Sequence, residues 1–121
     1  MTRLNEEARK AIGEMRPALI ATASRSGKPN VSAKGSVRVL DDQNIVFADI
    51  ASPRTVANIQ ENPHVSLLCL DPAQHHSCRV WGSAQIVSSG PLFDEIKEEF
   101  AARKMSVKNV VKIAVEEVEV S

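Results

Sequence analysis

The residues best suited to hold an anion lie between Asp49 and Thr55, where an apolar run ends and a helix is predicted to begin. Ser52 stands at the N-cap position and Pro53 at the first helical position, an order that favours a helix start. The free N–H groups and the dipole of a first helical turn attract anions such as phosphate. Ser52 and Thr55 add hydroxyl donors, and Arg54 adds a forked cation. The stretch is a candidate phosphate cradle.

A second interpretation of the same residues needs no ligand. Ser52 would then only cap the helix, and Arg54 would be a solvated surface charge. The local pattern taken alone favours this interpretation, because caps and exposed arginines are common at helix starts. The balance between the two therefore depends on the elements that surround this helix.

Other residues able to do chemistry do not form a recognisable set. His75 and His76 are adjacent, and adjacent side chains on a strand or loop point apart, so the pair alone does not make a metal site. They remain candidates for the mouth of a substrate site. The spacing specifies no Ser-His-Asp, Cys-His or paired-carboxylate arrangement. We therefore expect any chemistry to come from a bound cofactor.

The composition indicates one folded domain, residues 1–121, of which 43% are hydrophobic. Fifteen basic residues balance fifteen acidic ones, so the chain has no net field that would hold a nucleic acid. We expect no signal segment or membrane span, because no apolar run is long enough to form one. Cys69 and Cys78 do not make a disulfide framework. We therefore expect a cytoplasmic protein with reduced thiols.

The elements that must position these residues are mostly strands. Apolar residues at helical spacing in Leu4–Met15 predict an amphipathic helix that stops before Pro17, and further helices are predicted after Ser52 and at Pro91. The apolar phase of the last strand shifts near Glu116-Glu117, which predicts a β-bulge. We predict a mainly β fold, a small antiparallel barrel of six strands with peripheral helices. The six strand-like stretches are Ala18–Ser24, Asn30–Leu40, Ile45–Ile50, Val65–Leu70, Cys78–Val87 and Val111–Val120.

The order of these stretches resembles that of the pyridoxamine 5′-phosphate oxidase-like family of FMN-binding split barrels. The resemblance runs from about Met15 to Val87, and more loosely through the last helix and strand. It implies a six-stranded antiparallel split β-barrel of Greek-key type that binds FMN. Its most specific part is a series of short motifs: Arg54-Thr55, Asn58-Ile59, Asn62-Pro63 and Val65, with Val80–Ala84 in a later strand.

The resemblance also implies which residues would contact FMN. Ser52, Arg54 and Thr55 fall where the family binds the phosphate, although Thr55 stands where the family often has lysine. One strand would follow the flavin and the ribityl chain, and the end of the next strand would lie beside the same ligand. The residues implied on these two strands are Ser32, Ala33, Lys34, Ala48 and Asp49.

Two further features are implied near the flavin ring. Lys34 and Arg38 would point to one face of an extended strand and reach the N1/O2 edge or the phosphate, or else they are two exposed charges on the barrel exterior. The resemblance implies a homodimer with the cofactor at the subunit interface, where the strand from Ser77 to Trp81 comes from the second subunit. Trp81 could instead fill the core or the dimer seam.

We therefore expect an FMN-binding homodimer that transfers a hydride or electrons to or from a small molecule. The sequence does not separate a reductase, an oxidase and an electron carrier. Thr55 and the scarcity of aromatic residues, 3% of the chain, favour an alternative. In that alternative the chain is a non-catalytic ligand-binding or sensor dimer that has lost FMN or binds another flavin-like cofactor. A structural dimer without a ligand is the third interpretation.

Overall fold

Antiparallel strands are the main secondary structure of the chain, which the computed structural model describes over residues 3–121. The mainly β prediction is confirmed. No helix among these residues is long and apolar enough to cross a membrane. The elements are α1 (Glu6–Glu14), β1 (Ala18–Ala23), β2 (Pro29–Ala33), β3 (Arg38–Asp41), β4 (Asn44–Asp49), α2 (Pro53–Glu61), β5 (His64–Asp71), β6 (His76–Val87), α3 (Pro91–Ala101) and β7 (Asn109–Val120).

The seven strands form one antiparallel sheet in the order β2-β1-β5-β6-β7-β4-β3. Strands β2 and β3 lie at opposite ends of this order, yet only Lys34–Val37 joins them. A link of this length spans at most about 18 Å, so the sheet must curl until its two edges lie near each other. Because β2 and β3 are not paired, the barrel is split at this seam.

The prediction of a single strand over Asn30–Leu40 is wrong, and the sheet has seven strands instead of six. The link between β2 and β3 gives its polar groups to neighbouring elements instead of to a continuous ladder. The Lys34 N–H donates to the Ala18 carbonyl at 2.8 Å, and the Ala48 N–H donates to Ser36 Oγ at 3.0 Å. These bonds satisfy the backbone where the chain crosses the seam.

Strand β4 is buried on both faces because it lies between two apolar layers. Ile45 and Phe47 belong to the barrel interior, to which α1 and α2 also contribute. Val46 and Ala48 belong to a second layer formed with α3. Helix α1 begins where the Asn5 side chain accepts the Ala8 N–H at 2.8 Å, as is usual for an N-cap. The position of β4 therefore places the turn after Asp49 at the edge of both layers.

The predicted bulge in the last strand is confirmed. Trp81 on β6 pairs with Glu117 on β7, and Gly82 pairs with Val115, so Glu116 is the extra residue. Gly82 lies where the two backbones come close, because a Cβ atom added there would stand 2.3 Å from the Ala114 carbonyl oxygen. A side chain larger than hydrogen does not fit at this position.

We expect Gly82→Ala to destabilise the protein by at least about 2 kcal/mol, because the added methyl group collides with backbone that cannot move aside. Gly13→Ala is the matched control, since Gly13 lies in α1 with nothing within 4 Å of an added Cβ. It should stabilise the protein by about 0.5–1 kcal/mol. Urea unfolding of both variants measures the two shifts, and equal midpoints for Gly82→Ala and wild type would contradict the prediction.

Candidate functional site

Helix α2 begins without the side-chain cap that the sequence predicts. Ser52 occupies the N-cap position, but its hydroxyl makes no hydrogen bond to the helix and instead contacts Lys34 Nζ. The N–H groups of Arg54 and Thr55 have no acceptor within residues 3–121. The interpretation in which Ser52 only caps the helix is wrong. The first turn presents free donors at the positive end of the helix dipole.

A groove of about 260 Å³ runs between the start of α2 and strand β2. The guanidinium of Arg54 is exposed at this groove and has neither an ion pair nor a hydrogen bond in the described chain. Thr55 lies beneath it and is only 1% exposed. Ser32 lines the opposite wall, on β2. The fold thus brings Ser32, Ser52, Arg54 and Thr55 together around one groove.

Asp49 holds this turn in place from below. Its side chain is 3% exposed and accepts the Ser52 N–H at 3.0 Å and the Asn109 amide at 2.8 Å. A buried carboxylate requires such hydrogen bonds. The carboxylate of Asp49 is therefore engaged within the protein, and this residue positions the groove.

A larger cavity of about 400 Å³ adjoins the groove and shares Ala51 and Ser52 with it. Ala33, Ala48 and Phe100 give it apolar walls. Lys34 lines it as well, with Nζ 5.9 Å from the centre of the Phe47 ring. Burial lowers the pKa of Lys34, and the nearby negative charge of Asp49 opposes that shift in pKa.

Arg38 does not reach this cavity. The expectation that Lys34 and Arg38 share one face of an extended strand is wrong, because β2 ends at Ala33. The Arg38 guanidinium instead donates to both carboxylate oxygens of Glu99 on α3, at 2.8 and 3.0 Å. This pair ties α3 to the first residue of β3.

The sequence prediction missed the segment after α3, which forms the outer wall of the cavity. Arg103 and Met105 line it beside Phe100. The Arg103 guanidinium lies 4.9 Å from the centre of the Phe100 ring and 3.7 Å from Glu99. Helical periodicity identifies Phe100 as a buried position. Nothing in the spacing shows that the residues after α3 cover a cavity whose other walls come from distant parts of the sequence.

Ser77 and Trp81 lie elsewhere on the chain, on the outer face of β6. Two strands, β5 and β1, separate β6 from β2, so the Trp81 backbone is about 14 Å along the sheet from the groove wall. Trp81 is partly exposed, with the Arg79 guanidinium 5.8 Å from its ring centre, so the interpretation that it fills the core is wrong. Neither Ser77 nor Trp81 lines the groove or the cavity.

The histidines and cysteines do not add to the site. His75 is exposed in the β5–β6 connection and His76 is exposed at the first position of β6, and the described residues contain no His, Cys, Asp or Glu cluster that could hold a metal ion. Cys69 and Cys78 are buried free cysteines that stand directly opposite each other on β5 and β6. Burial raises the pKa of Cys69 to about 11 and also raises that of Cys78, so both stay protonated thiols.

Solved structures share this fold over nearly the whole chain. HupZ from Group A Streptococcus has a TM-score of 0.86 and 26% identity, covering 94% of this chain and 90% of that one. An FMN-binding protein from Syntrophomonas wolfei has a TM-score of 0.84 at 20% identity, covering 97% and 85%. The heme storage protein HutZ from Vibrio cholerae has a TM-score of 0.70 at 20% identity, covering 98% and 95%. The last two show the fold alone.

Sequence comparison gives the family. An uncharacterized protein of Methanocaldococcus jannaschii is 33% identical in an alignment of 113 positions that covers 89% of this chain and 72% of that protein. The family model described as pyridoxamine 5′-phosphate oxidase matches residues 4–121, from the residue before the N-cap of α1 to the end of the described chain. The chain therefore belongs to the pyridoxamine 5′-phosphate oxidase family.

Proposed function

We propose that the chain binds FMN, with the phosphate held at the first turn of α2. The supporting observation is the set of donors that meet there without partners: the N–H groups of Arg54 and Thr55 and the Arg54 guanidinium. A phosphate monoester accepts several hydrogen bonds and carries the negative charge that a helix N-terminus favours. A neutral ligand would leave the cation of Arg54 unused.

The remainder of FMN would occupy the cavity next to the groove. Ala33 and Ala48 offer apolar contact to a flat ring, and Lys34 holds a cation at the same wall. Ser32 would act beside the ribityl chain, and Asp49, whose carboxylate and carbonyl are both engaged, would hold the turn that carries the phosphate site. When bound, FMN would supply hydride or electron transfer, and the chain would orient it and keep water from one face.

Arg38 has a different role in this proposal. Its bidentate pair with Glu99 anchors α3, and α3 carries Phe100 to the cavity wall. Arg38 is therefore a positioning residue for the wall and does not contact the flavin.

We also propose that two copies pair through the outer face of β1, β5 and β6. Helices α1 and α2 contribute to the interior layer, and α3 packs on β4 and on the end of β6 at Val87, so no described helix covers the part of this face around Leu68 and Trp81. Leu19 and Leu68 are directly opposite each other there, and Trp81 lies on the next strand. All three are only partly buried. A second copy would cover them and bring Ser77 and Trp81 toward the flavin.

The lining of the cavity favours a flavin over heme. Its residues are Ala33, Lys34, Gly35, Ser36, Ala48, Ile50, Ala51, Ser52, Phe100, Arg103 and Met105. This set contains no histidine, cysteine or tyrosine, and its one possible heme ligand, Met105, is of a type that binds heme iron together with a histidine. The proposed activity is that of a flavin-dependent oxidoreductase or electron carrier acting on a small molecule.

We expect Arg54→Ala to weaken FMN binding by about 2 kcal/mol, or about 30-fold, because a charge-assisted phosphate contact is lost. Riboflavin, which lacks the phosphate, should bind the variant and wild type equally. Arg25→Ala is the control, since Arg25 is an exposed arginine that lines neither groove nor cavity. Flavin fluorescence titration gives the affinities of wild type, Arg54→Ala and Arg25→Ala. An unchanged FMN affinity in Arg54→Ala would place the phosphate elsewhere.

Leu68→Glu should convert the proposed dimer to a monomer, because it places a charge in the middle of the outer face. Leu40→Glu is the matched control, since Leu40 is exposed on β3 at the other edge of the sheet. Sedimentation velocity measures the oligomeric state. A monomeric wild-type protein, or a Leu68→Glu variant that still forms a dimer, would contradict the choice of this face.

The lowered pKa of Lys34 predicts a pH dependence of stability. Between its folded pKa and the ordinary value of 10.5, the unfolded chain binds more protons than the folded one. The free energy of unfolding of wild type, relative to Lys34→Met, should therefore rise with pH as the pH passes the lowered pKa and approaches 10.5. Urea titrations test this, with Lys97→Met on α3 as the control for loss of one lysine. A difference that falls with pH would show that Lys34 gains a proton on folding.

A further inference from the structure

A small cavity lies on the side of Arg54 away from Lys34, and FMN does not need it. It has a volume of about 220 Å³, and its polar lining comes from Ser24, Lys28, Asn30, Arg54 and Asn58. It shares Asn30 and Arg54 with the groove at the start of α2. The groove in turn shares Ala51 and Ser52 with the larger cavity. The three spaces are thus neighbours, and Arg54 lines both the small cavity and the groove.

The two charged residues of the small cavity are both cations. Neither the Lys28 ammonium nor the Arg54 guanidinium has an ion pair or a hydrogen bond in the part of the chain that the structure describes. Glu61, an acidic residue on α2, does not line the cavity, and its carboxylate accepts the Arg25 N–H at 3.1 Å. Two uncompensated cations at one cavity attract an anion.

The backbone that carries Lys28 is held by its own turn. Ser24 and Lys28 exchange two bonds: the Ser24 N–H donates to the Lys28 carbonyl at 3.0 Å, and the Lys28 N–H donates to Ser24 Oγ at 3.1 Å. Gly27 closes this turn at φ 90°, a value that favours glycine. On the facing helix, the Asn58 amide donates to Thr22 Oγ1 at 3.0 Å. Both walls of the cavity are therefore ordered before a ligand arrives.

We propose that this cavity is a second anion subsite, which receives a phosphate linked to the one held at the start of α2. The inference rests on the proposed function, in which that first phosphate belongs to a flavin. A phosphate monoester at the groove leaves Lys28 in water. In a flavin pyrophosphate, the phosphate at the groove is linked to a second phosphate. This second phosphate would lie between Lys28 and Arg54, and Arg54 lines both the groove and the small cavity.

The test compares FMN with FAD, a flavin pyrophosphate, on the full chain freed of flavin. Lys28→Ala should lower FAD affinity by about 5- to 10-fold, as expected for an exposed charge-assisted contact, and change FMN affinity by less than about 2-fold. Arg54→Ala should weaken both ligands. Lys97→Ala is the matched control, because Lys97 is an exposed lysine on α3 outside all three spaces.

Each contrary result has a separate meaning. An equal loss of FMN and FAD affinity in Lys28→Ala would make Lys28 part of the monophosphate site and overturn the second subsite. No loss for FAD, or a wild-type protein that binds FMN but not FAD, would also overturn it and leave the proposed function intact. If wild type binds neither flavin, the proposed function fails and the subsite fails with it.

Discussion

The buried carboxylate of Asp49 is the constraint on which the candidate site depends. It accepts the Ser52 N–H and the Asn109 amide, while the Asp49 carbonyl accepts the Lys108 N–H at 2.9 Å. These three bonds join the end of β4 to the first turn of α2 and to the start of β7. A buried carboxylate that loses its donors costs more free energy than the bonds themselves contribute. The start of α2 is therefore fixed relative to the sheet.

This arrangement leaves free the backbone N–H donors that a capping side chain satisfies at many helix starts. Because Asp49 takes the Ser52 N–H and Lys34 takes the Ser52 hydroxyl, the N–H groups of Arg54 and Thr55 stay without acceptors in residues 3–121. Lys34 is held in a position where burial disfavours its charge and lowers its pKa. The site is thus ordered in advance at some cost in stability, which is common where a ligand later supplies the missing partners.

Features set by local periodicity could be predicted from the sequence, and features set by closure of the sheet could not. The phase change at Glu116-Glu117 records the bulge directly, and Ser52-Pro53 marks the start of α2. The break at Lys34–Val37 has only the dipeptide Gly35-Ser36 as a local signal, and nothing local shows that it lies where the two edges of a curled sheet meet.

Contacts between residues far apart in the sequence could not be predicted either. Arg38 forms an ion pair with Glu99, which lies 61 residues later in the sequence. The outward direction of the Trp81 side chain follows from the register of β5 with β6. The positions of Ser52, Arg54 and Thr55 around one groove could be predicted because a single turn carries them. The contribution of Arg103 could not, because it depends on where α3 ends against β4.

The distance between Trp81 and the groove links the proposed cofactor to the proposed dimer. Trp81 lines neither the groove nor the cavity of its own chain, and under the proposal it approaches a ligand at Lys34 from a second copy. A ligand that contacts both copies binds the pair and not the separate chains, and by mass action it stabilises the pair. Its apparent affinity then depends on protein concentration. Under this proposal, binding of the ligand in the groove and burial of Leu19 and Leu68 by a second copy are linked in one equilibrium.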